Sequence, residues 1–500
     1  MRSTIVKKNL ISSVVLQLTA ALSGFILPHL IISEYGSATN GMISSITQYL
    51  SYLAMVESGV RASSLVELYK PLADNDEAKR NQILSATRAF YTKSGMVYIL
   101  CLLGLMWLYP FLVEGQVDTD TARWMILILA GSNIVDYYIL GKYQVLLAAD
   151  QKTHIIYFVQ SIGTILNLIV SVFLIYCKKD ILLVKLSGTV IYALRSIFIV
   201  FYVKRKYNNI NFKVKTKGKV LSQRWNALVH QFAGVVCNNT DLVLITLLLG
   251  AKSMAEASVY YVYNLASSMF TSLFNSVSSA IIPYFGNMLA KKENERAQYQ
   301  FDLMEYLYLI IIFTIYTCMY SLMMSFVGLY TKGATDANYN RQILAVLFVI
   351  MGAIQNIRIP SMIIICAAGH YKETQSRAII EAAINLLTSI VLISTIGIEG
   401  AVIGTICAFL YRSADSVIYC ARFFMKQSMA RTMTRAARNG LMMIIMCIGI
   451  QKIHLEITSW IEFIIYGCIM TIIVGGSFVL VNSLFEMKKS KEIIQLIKKS

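Results

Sequence analysis

Long apolar runs dominate this chain. A membrane-spanning helix needs ~20 mostly apolar residues, and fourteen such stretches can be placed along the 500 residues. They cover approximately 9–32, 41–66, 92–113, 123–147, 154–177, 181–203, 226–249, 257–285, 303–329, 342–368, 376–396, 398–424, 434–451 and 458–483. The runs lack the alternation of apolar and polar residues that marks strands, and backbone in lipid must satisfy its own hydrogen bonds. The pattern predicts an all-α membrane protein of about fourteen transmembrane helices.

Composition agrees with this interpretation and excludes several other classes of protein. Hydrophobic residues make up 57% of the chain, charged residues 14%, and the mean hydropathy is +0.61. A soluble chain of this length would need the polar surfaces of two or three domains. None of the nine cysteines forms a CxxC pair, and the five histidines contain no HExxH motif. We expect no catalytic residues, no metal site and no cofactor, and we do not expect an enzyme.

The net charge of +18 takes its meaning from where the basic residues lie. With the N-terminus placed in the cytoplasm, cytoplasmic segments hold 32 of the 45 Lys and Arg, and the opposite face holds seven. This bias follows the positive-inside rule. It predicts a multi-pass protein of the bacterial inner (cytoplasmic) membrane with both termini in the cytoplasm. Anionic membrane lipids are the expected partner of the basic excess, and nucleic acid is not.

The two halves of the chain repeat each other at a spacing of about 217 residues. The clearest match joins the fifth and sixth spans to the eleventh and twelfth. Its positions are Asn167, Leu168, Ser171, Gly188, Thr189 and Arg195, which return as Asn385, Leu386, Ser389, Gly404, Thr405 and Arg412. Each repeat holds six spans, so both copies enter the membrane in the same sense. This predicts two parallel six-helix lobes around a central site, as in transporters.

The repeat also defines the predicted domains. Residues 1–203 form the first lobe, and 204–225 form a basic cytoplasmic connector. Residues 226–425 form the second lobe, and 426–500 hold two further spans and a basic cytoplasmic tail.

This architecture resembles the multidrug/oligosaccharidyl-lipid/polysaccharide (MOP) exporter superfamily. The motifs that carry the likeness are YG at 35–36, NGMISSI at 40–46, ESGV at 57–60, LYKPLA at 68–73 and NNTD at 238–241. Within the superfamily, the chain is similar to the Wzx-type polysaccharide repeat-unit flippases of O-antigen and capsule synthesis. The resemblance implies a MATE-like fold and a polyprenyl-diphosphate-linked oligosaccharide as cargo. It also implies a polysaccharide polymerase and glycosyltransferases as partners.

Charged side chains inside the spans are the candidates for function, since each costs about 2.5–3.5 kcal/mol on insertion scales. Lys185 lies near the outer end of its span and is expected to extend to the interface. Five cations at or below mid-depth in the spans are predicted to line a cationic cavity, because guanidinium groups bind phosphate oxygens through paired hydrogen bonds. These residues are Arg61, Lys142, Arg195, Arg358 and Arg412. The alternative is that each cation neutralises a nearby carboxylate and joins helices.

Carboxylates inside the spans are candidates for coupling transport to H⁺ or Na⁺. These residues are Asp241, Asp136, Asp415, Glu381 and Glu57. The alternative is again that they are ion-pair partners of the intramembrane cations.

Three classes of function are compatible with the sequence. The favoured one is a flippase that moves undecaprenyl-diphosphate-linked oligosaccharide units to the outer leaflet by alternating access. A cation-coupled multidrug exporter of the same superfamily should have an acidic, aromatic cavity instead. A membrane polysaccharide polymerase or ligase should have a sizeable outer loop, whereas every predicted outer loop has about a dozen residues or fewer.

Overall fold

The computed structural model describes residues 2–55, 58–74, 76–113, 115–207, 209–212, 214, 239–425, 429–451 and 457–499. These residues form helices joined by turns and loops, with no strand among them. The helices are α1 (Arg2–Tyr35), α2 (Ser37–Ala54), α3 (Ser58–Ala73), α4 (Glu77–Leu112), α5 (Thr119–Val135), α6 (Gly141–Ala149), α7 (Thr153–Tyr176), α8 (Ile181–Lys206), α9 (Asn239–Leu248), α10 (Ser253–Ala290), α11 (Asn294–Tyr330), α12 (Gln342–Ile357), α13 (Ile359–Ala367), α14 (Tyr371–Ile396), α15 (Ile398–Cys420), α16 (Met429–Gln451), α17 (Trp460–Phe485) and α18 (Met487–Lys499).

The chain forms two compact units, residues 1–258 and 259–500, and the boundary falls within α10. We call them unit 1 and unit 2. The predicted lobe boundaries differ from this division, because α9 and the start of α10 pack with unit 1. Residues 215–238, where the second lobe was predicted to begin, lie outside the described residues. The four predicted segments, 1–203, 204–225, 226–425 and 426–500, stay a prediction.

Aspartate side chains mark the starts of three helices in unit 1. Asp76, Asp118 and Asp180 precede α4, α5 and α8, and their carboxylates accept backbone N–H bonds at 2.8–2.9 Å. An N-cap of this kind satisfies a donor that the first turn leaves unpaired. At its other end, α5 runs into a π-helical turn, Asp136–Leu140, before α6. This turn places Asp136 inside the helix bundle.

Four helices of unit 1 surround a pocket. Helix α1 packs along α7, α7 packs against α8, and α8 packs against α5. The connection between α7 and α8 has four residues, 177–180. The adjoining apolar core contains a cluster of tyrosines, in which the rings of Tyr98 and Tyr137 lie 5.2 Å apart.

Unit 2 contains a tighter hairpin, α14–α15, against which α12 packs. One residue, Gly397, joins the two helices, and its φ of +72° favours glycine. Helices α12 and α13 form one interrupted span, with Arg358 at the break and Pro360 in the first turn of α13. Proline lacks the N–H needed to continue a helix, so the sequence itself places Arg358 at an interruption.

A buried ionic cluster joins α11, α16, α17 and α18. Arg435 is 1% exposed, and its guanidinium lies 2.8 Å from Asp302, 3.0 Å from Glu305 and 2.5 Å from Glu486. Burial alone would raise the pKa of Glu486, but hydrogen bonds and charges from Arg435 and Arg438 outweigh it and hold that pKa below its usual value. Lys489 of α18 also pairs with Asp302.

Eleven helices within the described residues are long and apolar enough to cross a membrane. Three of the fourteen predicted spans do not correspond to any of these eleven helices. The stretch 41–66 is divided between α2 and α3, and 226–249 is described only as α9. The stretch 434–451 lies in α16, which is not among the eleven. The count of about fourteen spans therefore stays a prediction.

Candidate functional site

Five charged side chains form a cluster inside unit 2. Glu381 lies between two arginines: Arg358 Nη1 donates to its Oε1 at 2.5 Å, and Arg412 Nε lies 3.4 Å from its Oε2. Asp415 accepts from Arg412 Nη1 at 3.1 Å and lies 3.4 Å from Arg377 Nε. Three helix segments contribute, so the ion pairs join the α12–α13 break to α14 and α15.

Burial makes these ion pairs necessary. Glu381 is 6% exposed and Arg412 is 5% exposed. An unpaired charge in such an environment is costly, and an oppositely charged partner offsets that cost. The guanidinium of Arg358 also lies over the ring of Phe409, 5.0 Å from its centroid. The cluster contains three guanidinium groups and two carboxylates, so it has a surplus of one positive charge.

Unit 1 contains a polar pocket of about 260 Å³ between α1, α5, α7 and α8. Lys185 and Arg195 both line it. The Asn167 amide and the hydroxyls of Ser132 and Ser171 contribute further hydrogen-bonding groups. No carboxylate lines this pocket within the described part of the chain. The polar groups of this partly apolar pocket are therefore neutral or cationic.

Arg195 is held by an aromatic ring. Its guanidinium lies 4.1 Å from the centroid of Tyr192, and the Tyr192 hydroxyl donates to Asp136 Oδ2 at 2.6 Å. The Asp136 carboxylate also interacts electrostatically with the Arg195 guanidinium. Across residues 2–55, 58–74 and the other described ranges of unit 1, no carboxylate oxygen lies within 4.0 Å of the Arg195 guanidinium.

The absence of a side chain at Gly163 gives Arg195 its space. A Cβ at that position would lie 2.7 Å from Arg195 Cδ and 3.4 Å from its Nη1. Gly163 precedes Asn167 by four residues, as Glu381 precedes Asn385 in the second repeat. The first repeat has no side chain where the second has a carboxylate that pairs with its arginine.

The remaining predicted residues that the structure describes lie on α3, α6 and α9 of unit 1. Arg61 on α3 is exposed. Lys142 on α6 donates to the Tyr138 carbonyl at 2.8 Å. Asp241 on α9 is 6% exposed. Glu57 lies outside the described residues. The assignment of all ten residues to cargo binding or ion coupling stays a prediction.

Two charged residues near these sites were missed by the sequence analysis. Lys185 was set aside as an interfacial lysine, yet it lines the same pocket as Arg195. Arg377 was not among the candidate residues, yet it belongs to the unit 2 cluster through Asp415. Extending the repeat alignment four residues upstream of Asn167 and Asn385 would have revealed the contrast between Gly163 and Glu381.

No protein-family model matches the chain, and a search of curated proteins finds no match. Solved structures do match it. A lipid II flippase MurJ structure in an inward closed conformation has a TM-score of 0.69 at 14% identity, covering 96% of this chain and 99% of that one. An inward-facing multidrug resistance MATE family transporter of the MOP superfamily has a TM-score of 0.65 at 10% identity, covering 84% and 95%.

The Vibrio cholerae MATE transporter VcmN in its bent form matches at a TM-score of 0.52 and 14% identity, covering 88% of this chain and 98% of that one. Identities this low establish the fold alone. The predicted fold class is confirmed: the chain is an all-α, multi-pass membrane protein with a MATE-like fold.

Proposed function

We propose that this protein is a flippase for undecaprenyl-diphosphate-linked oligosaccharide units, used in the synthesis of O-antigen, capsule or a related surface polysaccharide. The observation that carries the proposal is the cationic surplus inside the helix bundles. In unit 2, Arg358, Arg377 and Arg412 outnumber Glu381 and Asp415. In unit 1, Lys185 and Arg195 line one pocket.

This surplus favours an anionic cargo over a cationic drug. Glu381 and Asp415 are already bound to arginines, so a cationic ligand would have to displace those arginines. A diphosphate instead adds negative charge where the protein has too little, and guanidinium groups match its oxygens geometrically. A multidrug exporter is therefore the second candidate.

The fold and the motifs support the same cargo class. MurJ, whose structure this fold resembles, is a lipid II flippase. The motifs at 40–46 and 68–73 resemble those of polysaccharide repeat-unit flippases. On this proposal, a polysaccharide polymerase and glycosyltransferases are partners, and anionic lipids contact the basic cytoplasmic segments.

The membrane potential can drive such a cargo outward. Moving two net negative charges out of a cell with a negative interior is favourable by about 2 × 2.3 kcal/mol per 100 mV. For coupling to H⁺ or Na⁺, Asp136 is the candidate that the contacts favour over Glu381 and Asp415. Its Oδ2 accepts from the Tyr192 hydroxyl at 2.6 Å, whereas Glu381 and Asp415 form salt bridges with arginines.

Proteoliposomes test the cargo class directly. The full chain is reconstituted with a fluorescent polyprenyl-diphosphate disaccharide, and the exposed fraction of the fluorophore is measured with a membrane-impermeant quencher. We expect the wild type to translocate this lipid and the matching uncharged polyprenyl glycoside much more slowly. Arg195→Ala should reduce the rate by at least tenfold, because a charge-assisted contact contributes about 1.5–3 kcal/mol.

Arg341→Ala is the matched control, because its pair with Glu399 is partly exposed and lies outside both sites. This variant should translocate the lipid at the wild-type rate. Transport of ethidium, with no translocation of the diphosphate lipid, would reject the flippase and favour the multidrug exporter.

A further inference from the structure

The pocket of unit 1 is lined by two cations, Lys185 and Arg195. We propose that Lys185 and this pocket form the subsite for the phosphate groups of a membrane-borne polyprenyl phosphate ester. This inference rests on the proposed function and assigns the charged part of the cargo to named residues. Lys185 lies on α8, ten residues before Arg195, and both side chains line the same space.

Neither cation forms a salt bridge with a carboxylate in the described part of unit 1, although the charge of Asp136 acts on Arg195 from a greater distance. Along the described ranges of unit 1, no carboxylate oxygen lies within 4.0 Å of Lys185 or Arg195. A charged lysine inside a membrane span is costly, and an anion in the pocket would offset that cost. In unit 2, by contrast, the protein supplies carboxylates to the buried arginines.

The neutral groups of the pocket suit an anion as well. Asn167 Oδ1 accepts from Ser171 Oγ at 3.3 Å, which leaves the amide N–H groups of Asn167 as donors. A lysine ammonium has three donors and a guanidinium has five. Phosphate oxygens are acceptors, so the donors complement them.

The dimensions favour a phosphate ester over a monatomic ion. The volume of about 260 Å³ is several times the ~30 Å³ that one water occupies in the liquid. Ten helical residues rise by about 15 Å, so the Cα atoms of Lys185 and Arg195 are far apart along α8. A diphosphate has oxygens on two phosphorus atoms and can engage donors that approach from different heights.

The surroundings favour a lipid as the source of the phosphate. The helices that form the pocket turn apolar side chains outward: Ile162 and Leu166 on α7 are 51% and 46% exposed, and Val190 and Leu194 on α8 are 48% and 59% exposed. These exposed chains indicate that α7 and α8 border the hydrocarbon. A polyprenyl chain can lie against them while its phosphates enter the pocket, whereas a free anion gains nothing from this apolar border.

Binding to the full chain in phosphatidylcholine nanodiscs tests the inference. The probes are farnesyl diphosphate, inorganic pyrophosphate and the uncharged alcohol farnesol, and the readout is the ligand-dependent shift in melting temperature. We expect farnesyl diphosphate to bind the wild type more tightly than pyrophosphate does, and farnesol to have no comparable effect. Lys185→Gln should weaken farnesyl diphosphate binding by about tenfold or more, and Lys185→Arg should restore most of it.

Lys179→Gln is the matched control, because Lys179 is an exposed lysine in the turn before α8. It should bind farnesyl diphosphate like the wild type. Equal affinity for pyrophosphate and farnesyl diphosphate would assign the site to a free anion and overturn the lipid source. Equal effects of farnesol and farnesyl diphosphate would overturn recognition of the phosphates.

Comparing Lys185→Gln with the wild type distinguishes a failure of the pocket assignment from a failure of the proposed function. If the wild type binds farnesyl diphosphate and Lys185→Gln binds it equally tightly, the pocket assignment is wrong and the proposed function stands. If the wild type binds no diphosphate at all, the cargo class is wrong, and the proposed function fails with it.

Discussion

The hairpins α7–α8 and α14–α15 share a pattern of polar residues but pack differently. In the second hairpin, Asn385 is fully buried and donates to Thr405 Oγ1 at 2.8 Å. In the first, the matching Asn167 lines a pocket, and Thr189 donates instead to the Ile128 carbonyl on α5 at 2.8 Å. The same repeat thus gives one closed hairpin and one open hairpin.

Small residues near the turn explain the closed hairpin. A Cβ at Gly400 would lie 2.3 Å from the Leu392 carbonyl carbon, so α15 approaches α14 closely there. Its counterpart in the first repeat, at the offset that relates Gly404 to Gly188, is Val184, which lines the pocket. A valine at this position holds α8 farther from α7, and the four-residue connection permits the wider separation.

The largest difference in charge between the two repeats is at the position of Glu381, which is Gly163 in the first repeat. The carboxylate binds Arg412, whereas the glycine leaves Arg195 on the pocket lining. Two copies of a repeat can therefore share the same helices and still differ in the contacts of their matching arginines, because one position is Glu381 in the second copy and Gly163 in the first. Arg412 forms salt bridges with carboxylates in unit 2, and Arg195 lines a pocket in unit 1.

Removing Glu381 should have the largest effect on stability. Glu381→Ala leaves Arg358 without its carboxylate and Arg412 with only Asp415. Removal of one partner from a buried ion pair destabilises by about 3–5 kcal/mol, so we expect a much lower melting temperature in detergent. Glu399→Ala, which breaks a partly exposed pair with Arg341, should cost less than about 1 kcal/mol. Equal melting temperatures for the two variants would contradict the structural role of the cluster.

Glycine substitutions in the two hairpins should differ in their effect. At Gly404, a Cβ would lie 2.7 Å from the Ser389 backbone nitrogen, whereas at Gly188 it would meet the Asn167 side-chain oxygen at 2.7 Å. Backbone yields less easily than an amide side chain, so Gly404→Ala should destabilise by about 1–3 kcal/mol and Gly188→Ala by less. Gly104→Ala on α4 meets no atom within 4 Å and controls for helix propensity in the same thermal measurement. A larger loss at Gly188 than at Gly404 would reverse our ordering of open and closed hairpins.

Of these substitutions, Gly163→Ala should have the smallest effect on the free energy of unfolding. Its effect on farnesyl diphosphate binding should be larger. Its Cβ would press on Arg195 Cδ at 2.7 Å, which the flexible side chain can relieve by moving. Alanine gains up to about 1 kcal/mol in helix propensity over glycine, so the net change in unfolding free energy should stay within about 1 kcal/mol. The displaced guanidinium should weaken farnesyl diphosphate binding severalfold in the nanodisc assay. Unchanged binding would show that the position of Arg195 does not matter to the pocket.

The sequence predicted the helices well because hydropathy is a local property of each span. It also identified Arg195 and Arg412 as a matched pair through the repeat. It could not predict the surroundings of the two arginines. Gly163 lies on the helix next to that of Arg195, and Glu381 lies on the helix next to that of Arg412. Their effect on the arginines depends on how closely the two helices of each hairpin pack. Lys185 was set aside for a similar reason: its position along the span suggested the interface, and only the packing of four helices shows that it also lines a pocket.

The ionic cluster around Arg435 has a consequence for the order of biosynthesis. Asp302 and Glu305 precede their arginine by 133 and 130 residues. At about 5–20 residues per second, a ribosome synthesises both carboxylates roughly ten seconds before Arg435. During that interval, α11 has two carboxylates at its start without their arginine, and the fold of unit 2 is completed from the C-terminal end. The last helices of the chain therefore finish the assembly of a helix made much earlier.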